Sequence, residues 1–313
     1  MNIQQLRYVH EVAQRRLNIS EAANALFTSQ PGVSKQIRQL EEELGIDIFI
    51  RHGKRITAVS EPGQQVLVIV QRMLRDIENL RQVGQEFSNE SLGSLSVATT
   101  HTQARYVLPP IVQRFMQNYP KVRLSLHQGN PVQCCEQVIS GEADIAIATE
   151  AVEHYDELVM LPCYQWNRCV VAPLGHPILK AKPLTLEEIA RHPIITYDLA
   201  FTGRGQINKA FAARGLQPNV VLTAIDSDVI KTYVGMGLGI GLIAGMAYDE
   251  DADAAIGAVD ASHLFESSTT RIGIRSNDFL RGYTYAFIEL FAPHLTRKAV
   301  DAALRGGGTD PGL

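Results

Sequence analysis

Apolar positions recur at helical spacing through residues 1–90. Leu6, Val9, Val12 and Ala13 fall on one face, which predicts an amphipathic helix over residues 3–15. Ser20 is the expected N-cap of a second helix, Glu21–Phe27, where Ala22, Ala23 and Ala25 allow close approach to a neighbour. Thr28 and Ser29 interrupt it, and Gln30-Pro31 opens a third helix, proline being tolerated in a first turn. Val33, Ile37, Leu40 and Leu44 form the buried stripe of that helix, and Gly45 stops it. Ile46–Ile50 and Ile56–Val59 read as short strands around the turn Arg51-His52-Gly53-Lys54-Arg55. After Pro62, Val66, Val70, Met73, Ile77, Leu80, Gly84 and Phe87 recur at spacings of four and three, with Leu67 and Leu74 widening the stripe. A long helix with such a seam predicts pairing with a second copy through Val70, Met73, Ile77 and Leu80.

From Gly93 the pattern changes to alternating strands and helices. Strands are expected at Ser94–Thr99, Val122–Gln128, Asp144–Thr149, Cys169–Ala172, Ile194–Tyr197, Val220–Ala224 and Leu238–Ala244. Helices are expected at Gln103–Asn118 and Val132–Ser140, and near residues 185–191, 204–214 and 227–236. Repeated β-α-β order predicts mainly parallel sheet with helices on both faces, and the length suits two lobes about a cleft. The expected organisation is a helix-turn-helix with a basic hairpin (1–60), a linker and dimerisation helix (61–90), a two-lobed α/β domain (91–300) and a flexible tail (301–313).

Composition narrows the class. With 45% hydrophobic and 20% charged residues the chain is not disordered, and 29 basic against 33 acidic side chains exclude a generally basic binder. No run approaches the ~18 apolar residues of a membrane span. Met1-Asn2-Ile3-Gln4-Gln5 lacks the basic stretch and apolar core of a secretion signal, so a cytoplasmic protein without membrane association is expected. Four cysteines without paired CxxC spacing predict reduced, buried thiols rather than a disulfide scaffold or a zinc site.

The face of the third helix opposite Val33 and Ile37 carries Ser34, Lys35 and Arg38, with Gln30 in the first turn. Arginine and lysine suit guanine or phosphate, and glutamine suits adenine. Thr28 and Ser29 lie at a helix N-terminus, where an anion is favoured. Arg51, Lys54 and Arg55 on the hairpin, or wing, add backbone or minor-groove contacts. Residues 1–90 hold 11 basic and 11 acidic side chains, so binding must come from local placement, with Glu41, Glu42 and Glu43 turned away. Periodicity alone leaves a solvated polar face on a helical bundle as the alternative.

The pattern Ser20-Glu21-Ala22-Ala23-x-x-Leu26-x-x-Ser29-Gln30-Pro31-x-Val33-Ser34-x-Gln36-Ile37-x-x-Leu40-Glu41-x-x-Leu44-Gly45-x-x-x-Phe49-x-Arg51 resembles the DNA-binding signature of LysR-type transcriptional regulators. The resemblance covers the whole chain. It implies an α/β protein: an N-terminal winged helix-turn-helix, a long linker helix, and a two-lobed effector domain resembling periplasmic binding proteins. It also implies a homotetramer (a dimer of dimers) on double-stranded promoter DNA, with RNA polymerase as a further partner.

Thr99-Thr100-His101-Thr102-Gln103-Ala104-Arg105-Tyr106-x-Leu108-Pro109, Gly141-Glu142-Ala143-Asp144-Ile145-Ala146-Ile147-Ala148-Thr149-Glu150 and Phe201-Thr202-Gly203-Arg204 are similar to the CysB subgroup, which controls sulfur assimilation. Physically, Thr100, Thr102 and Gln103 stand where a strand runs into a helix, a neutral cradle for a small oxyanion. Thr149 ends a strand and Thr202 precedes a helix, and strand ends converge on the cleft of such a domain. Taken alone, a threonine such as Thr102 or Thr202 is as well explained as an N-cap. The resemblance makes all five effector ligands, with Trp166 a further lining residue, and implies acetylserine, sulfate or thiosulfate as the small molecule. A sister role in the same subgroup implies control of sulfonate or sulfate-ester use through adenosine phosphosulfate or sulfate.

Other features carry plainer readings. Gly235-x-Gly237-x-Gly239-x-Gly241 fails the GxGxxG pattern and lets a helix turn into a strand. His101 stands beside the cradle, but no histidine or cysteine spacing predicts a metal, and no cofactor is expected. Cys134-Cys135 reads as core on a helix. No nucleophile–base pair or cofactor loop supports an enzyme, and the helix-turn-helix opposes a solute receptor.

Overall fold

A computed structural model describes residues 1–53, 55–88, 93–149, 155–199, 204–276 and 278–306. The chain divides into two compact units, Met1–Phe87 and Ser88–Leu313. Lys54, Thr202 and the last seven residues of the expected tail lie outside the described residues.

The first unit holds α1 (Ile3–Gln14), α2 (Ile19–Ala25), α3 (Gln30–Leu44), the hairpin β1 (Phe49–His52) and β2 (Arg55–Val59), and α4 (Glu61–Ser88). Asn18, not Ser20, caps α2, because its Oδ1 accepts the Ser20 and Glu21 N–H groups at 3.1 and 3.2 Å. Ser29 caps α3 by accepting from the Gly32 N–H, and Gly45 ends it at φ 69°, the left-handed conformation glycine adopts without strain. Leu6, Val9, Val12, Ala22, Ala23, Val33, Ile37, Leu40, Ile48, Phe49 and Ile56 form the core.

Two expectations fail here, each for its own reason. The strand expected from Ile46 begins only at Phe49, because the Ile48 and Phe49 N–H groups bond to the buried Glu41 carboxylate. Val70 on α4, expected in a dimer seam, is 2% exposed within this same core, and Met73 packs against it. The outward apolar residues of α4 include Val68, Ile69 and Leu80.

The second unit is built on two five-stranded sheets. In chain order its elements are β3 (Gly93–Thr99), a π-turn over Gln103–Val107 leading into α5 (Leu108–Asn118), β4 (Val122–Gln128), α6 (Pro131–Ser140), β5 (Ile145–Thr149), β6 (Leu158–Trp166) and β7 (Arg168–Pro173). Then come α7 (Leu186–Ala190), β8 (Ile194–Tyr197), α8 (Arg204–Ala213), β9 (Val220–Ala224), α9 (Ser227–Gly235), β10 (Ile240–Ala244), β11 (Ile256–Asp260), β12 (Ser268–Arg275), α10 (Gly282–Phe291) and α11 (Arg297–Leu304). One lobe has the order β4-β3-β5-β12-β6, the other β11-β7-β10-β8-β9. The chain leaves the first lobe between β6 and β7 and returns between β11 and β12, so two crossovers join them.

The sheets are mixed rather than mainly parallel. β12 runs antiparallel to β5 and β6, and β7 antiparallel to β10 and β11, as the two crossovers require. The flexible tail expected from residue 301 also starts too early, since α11 continues to Leu304 and seats Val300 in the core. In the glycine series, α9 gives way to β10, and a Cβ at Gly239 would stand 2.5 Å from the Pro193 carbonyl oxygen. Among the described residues no helix is long and apolar enough to cross a membrane.

Candidate functional site

Burial of Val33, Ile37 and Leu40 turns the other side of α3 outward. There Gln30, Ser34, Lys35 and Arg38 line one shallow groove of about 490 Å³, together with Pro31, Gln39 and Glu42. Lys35 and Arg38 are exposed and form no ion pair among the described residues. Glu42 is therefore not turned away, but Glu43 is exposed outside that groove. Ser29 caps α3 through Oγ as an acceptor, with Thr28 half-buried beside it.

The hairpin divides the expected cations. Arg55 is exposed, while the Arg51 Nη2 donates to Glu41 Oε2 at 2.7 Å and its side chain is only 19% exposed. Glu41 is 5% exposed and also accepts the Ile48 and Phe49 N–H groups at 2.9 and 3.1 Å. Arg51 is thus a brace between α3 and the hairpin, correcting its expected place as a free wing cation. Glu41 belongs to the core, because it lies one helical turn beyond Ile37 on the buried stripe.

In the second unit the expected ligands gather around the crossovers. Trp166, the last residue of β6, donates its Nε1–H to Thr149 Oγ1 at 3.2 Å. Thr149 Oγ1 lies 3.0 Å from Thr270 Oγ1, and Gln103 Nε2 donates to Thr270 Oγ1 at 3.2 Å. Tyr164 completes the chain by donating to Gln103 Oε1. Thr149, Thr270 and Gln103 are at most 2% exposed. Gln103 Nε2 uses one of its two hydrogens in this network, and the buried Thr100 forms no side-chain hydrogen bond among the described residues. These are spare donors at a neutral site, which suits a ligand made of acceptors.

Thr102 does not cap the helix it precedes; it faces the Tyr197 hydroxyl across the lobes. Tyr197 OH lies 2.6 Å from Ser227 Oγ and accepts the Ala244 N–H at 3.2 Å. Burial pushes the Tyr197 pKa up, opposed by these hydrogen bonds. Burial likewise carries Tyr164 up to about 12, against hydrogen bonds with Thr270 and Gln103. The lobes meet again where Tyr106 OH donates to Asp228 Oδ1 at 2.6 Å, with His101 Nε2 3.6 Å from Asp228 Oδ2.

Arg168 closes the base of this region. It opens β7, is 2% exposed, and donates to the Glu266 carbonyl at 3.1 Å and to Ser268 Oγ at 2.9 Å. Its guanidinium lies 5.1 Å from the Trp166 ring centroid and 5.9 Å from that of Phe265. One side chain therefore ties the outgoing crossover to the returning one. Sequence reasoning missed Thr270, Tyr164, Tyr197 and Arg168. For Thr270 a signal existed, since it alternates with the buried Ile272 and Ile274 and so puts a hydroxyl on the inner face of β12.

Residues 3–64 match the bacterial regulatory helix-turn-helix of the lysR family, and residues 88–296 match the LysR substrate binding domain. The chain belongs to the LysR family of transcriptional regulators. This regulator is 54% identical over 305 residues to the HTH-type transcriptional regulator SsuR of Burkholderia cenocepacia, covering 97% of the chain and 99% of that protein. It is 50% identical to the HTH-type transcriptional regulator CysB of the same organism, covering 98% of each. The crystal structure of the cofactor-binding domain of the Cbl transcriptional regulator superposes with a TM-score of 0.67 at 42% identity, covering 69% of this chain and 95% of that one. The regulator's helix-turn-helix match spans α1 through β2, and its substrate-domain match spans both sheets, so each site described lies inside a matched region.

Proposed function

We propose that this LysR regulator controls genes of sulfur assimilation and cysteine biosynthesis in response to a small, oxygen-rich ligand held between its two lobes. The observation that carries the reading is the buried chain Trp166–Thr149–Thr270–Gln103 at the junction of the lobes. It offers neutral hydrogen-bond donors that a small oxyanion or an acetylated amino acid can accept from. Thr100 and Thr102 flank it, and Thr202 is included from the sequence alone. Gln30, Ser34, Lys35 and Arg38 read or grip the major groove of double-stranded promoter DNA, with Thr28, Ser29, Lys54 and Arg55 in support. Two dimers form the working tetramer, which acts in the cytoplasm on RNA polymerase and turns over no substrate. Ligand binding changes the balance between lobe arrangements, and the linker helices carry that change to the DNA.

The second reading is the sister role, in which adenosine phosphosulfate or sulfate is the ligand. It is favoured by the 54% identity to SsuR, against 50% to CysB. Calorimetric titration with sulfate, thiosulfate, O-acetylserine, N-acetylserine and adenosine phosphosulfate separates the two. Saturable binding of an acetylserine, weakened about tenfold or more by Thr270→Val through loss of a buried hydrogen bond, supports the first reading. Binding of adenosine phosphosulfate or sulfate without an acetylserine supports the second. Binding of none removes the sulfur assignment and leaves the family standing.

A further inference from the structure

Among the described residues the non-glycine positions with positive φ are Arg16 (51°), Leu17 (66°) and Phe27 (51°), on either side of α2. The left-handed pair at 16 and 17 ends α1: the Leu17 N–H reaches the Val12 carbonyl at 2.9 Å, and the Asn18 N–H that of Arg15 at 3.0 Å. Leu17 packs against the core of the first unit, whereas Arg16 is exposed. Arg15 is bonded to Glu11 at 2.8 Å, but Arg16 enters no ion pair among the described residues. Asparagine would hold a left-handed turn more easily, so what position 16 carries beyond the turn is its cation.

The loop of residues 15–18, with Gln14 at the end of α1 and Ile19, Ser20 and Glu21 at the start of α2, lines a groove of about 910 Å³ with His52 and Arg55 of the hairpin and Gln30 of α3. Gln30 also lines the groove along the outer face of α3, so the two grooves share that residue. Arg55, like Arg16, is exposed and unpaired among the described residues. Glu21, the carboxylate in this groove, is held by Asn18 Nδ2 at 2.9 Å over the first turn of α2. A polar, cationic groove that meets the outer face of α3 at Gln30 suits a strand of uniform negative charge.

We infer that this groove seats a sugar–phosphate strand of the DNA whose bases α3 reads, with Arg16 from the loop and Arg55 from the hairpin gripping its phosphates. The inference rests on the reading of α3 as the DNA-reading helix. The test is fluorescence anisotropy of the full chain with a labelled mixed-sequence duplex, titrated at several salt concentrations. Arg16→Asn keeps the left-handed turn and removes the charge; Arg16→Lys keeps a charge. The N variant should bind about eightfold more weakly at ~0.1 M salt, with a log–log salt slope shallower by about 0.9 per bound chain. The K variant should restore both, and a far-UV thermal scan should show both variants folded. Arg114→Ala, an exposed arginine on α5, controls for net charge. Wild-type affinity and slope in Arg16→Asn would overturn the inference while leaving the DNA reading intact. An equal loss in Arg114→Ala would also overturn it, by making the effect one of overall charge. Absence of duplex binding by the wild-type chain at low salt would overturn the DNA reading as well.

Discussion

At position 41 one carboxylate satisfies three donors: two backbone N–H groups at the start of the hairpin and the Arg51 guanidinium. Its removal leaves those amides and a largely buried cation without partners, so Glu41→Ala should cost about 3–5 kcal/mol. Glu41→Gln should cost less, because its carbonyl oxygen can still accept from the amides. The single tryptophan, Trp166, lies in the second unit and reports on that unit alone, while circular dichroism sums the helices of both, so a phase seen by dichroism and not by fluorescence belongs to the first unit. The expected outcome is an earlier loss of helical signal in Glu41→Ala with an unmoved tryptophan transition. A helical transition at the wild-type denaturant concentration would show that Glu41 does not hold the hairpin. This role was legible, because Glu41 follows Ile37 by four residues and continues the buried stripe. The run Glu41-Glu42-Glu43 hid it by reading as one solvated patch.

At the scale of elements, the lobes hang on two crossovers, and Arg168, where the first of them enters β7, is bonded to the second. Arg168→Met keeps the stacking volume but leaves the Glu266 carbonyl and Ser268 hydroxyl short of a donor, an expected loss of about 2–4 kcal/mol. Arg168→Lys should rescue little, since a point charge does not reproduce the planar fork. Calorimetric scans check this, and an unchanged midpoint in Arg168→Met would make the arginine a passenger at the junction. These crossovers are also where sequence reading failed. The helices and the parallel strands of each lobe announce themselves by period and by apolar runs, as at Ile145–Thr149. β6 is broken in pattern by Pro162 near a register shift, and β12 carries Thr270 and Arg271 where an apolar run would be expected. The cradle was half legible for the same reason: Thr149 and Gln103 sit beside recognisable strand ends, while Thr270 and Tyr164 come from the strands that did not read as strands. α4 shows the converse error, a clear apolar seam whose first half serves its own unit rather than a second copy.

Across the whole molecule, the four cysteines all fall in the second unit and all are free and buried. Burial is the main cause that carries Cys134, Cys135, Cys163 and Cys169 from the ordinary 9.0 up to about 12. Below about pH 9 both folded and unfolded states keep these protons, so the contribution to stability is fully present. Between about 9 and about 12 the unfolded chain loses them while the native chain holds them, and stability falls by about 1.4 kcal/mol per pH unit for each thiol. Tyr164, also carried up to about 12, adds to the same alkaline loss above its ordinary 10.0. The tryptophan-reported transition should therefore move to lower denaturant between pH 8 and pH 10, a loss to which the cysteine-free first unit contributes no thiol. Iodoacetamide at pH 8 should label the buried native thiols far more slowly than the denatured ones, since the thiolate is the reacting species and burial disfavours it. Thiols that label at the denatured rate would mean that the strands and helix holding them open readily. A flat tryptophan transition across this pH range would mean instead that the unfolded chain shields its thiols as well as the folded one does.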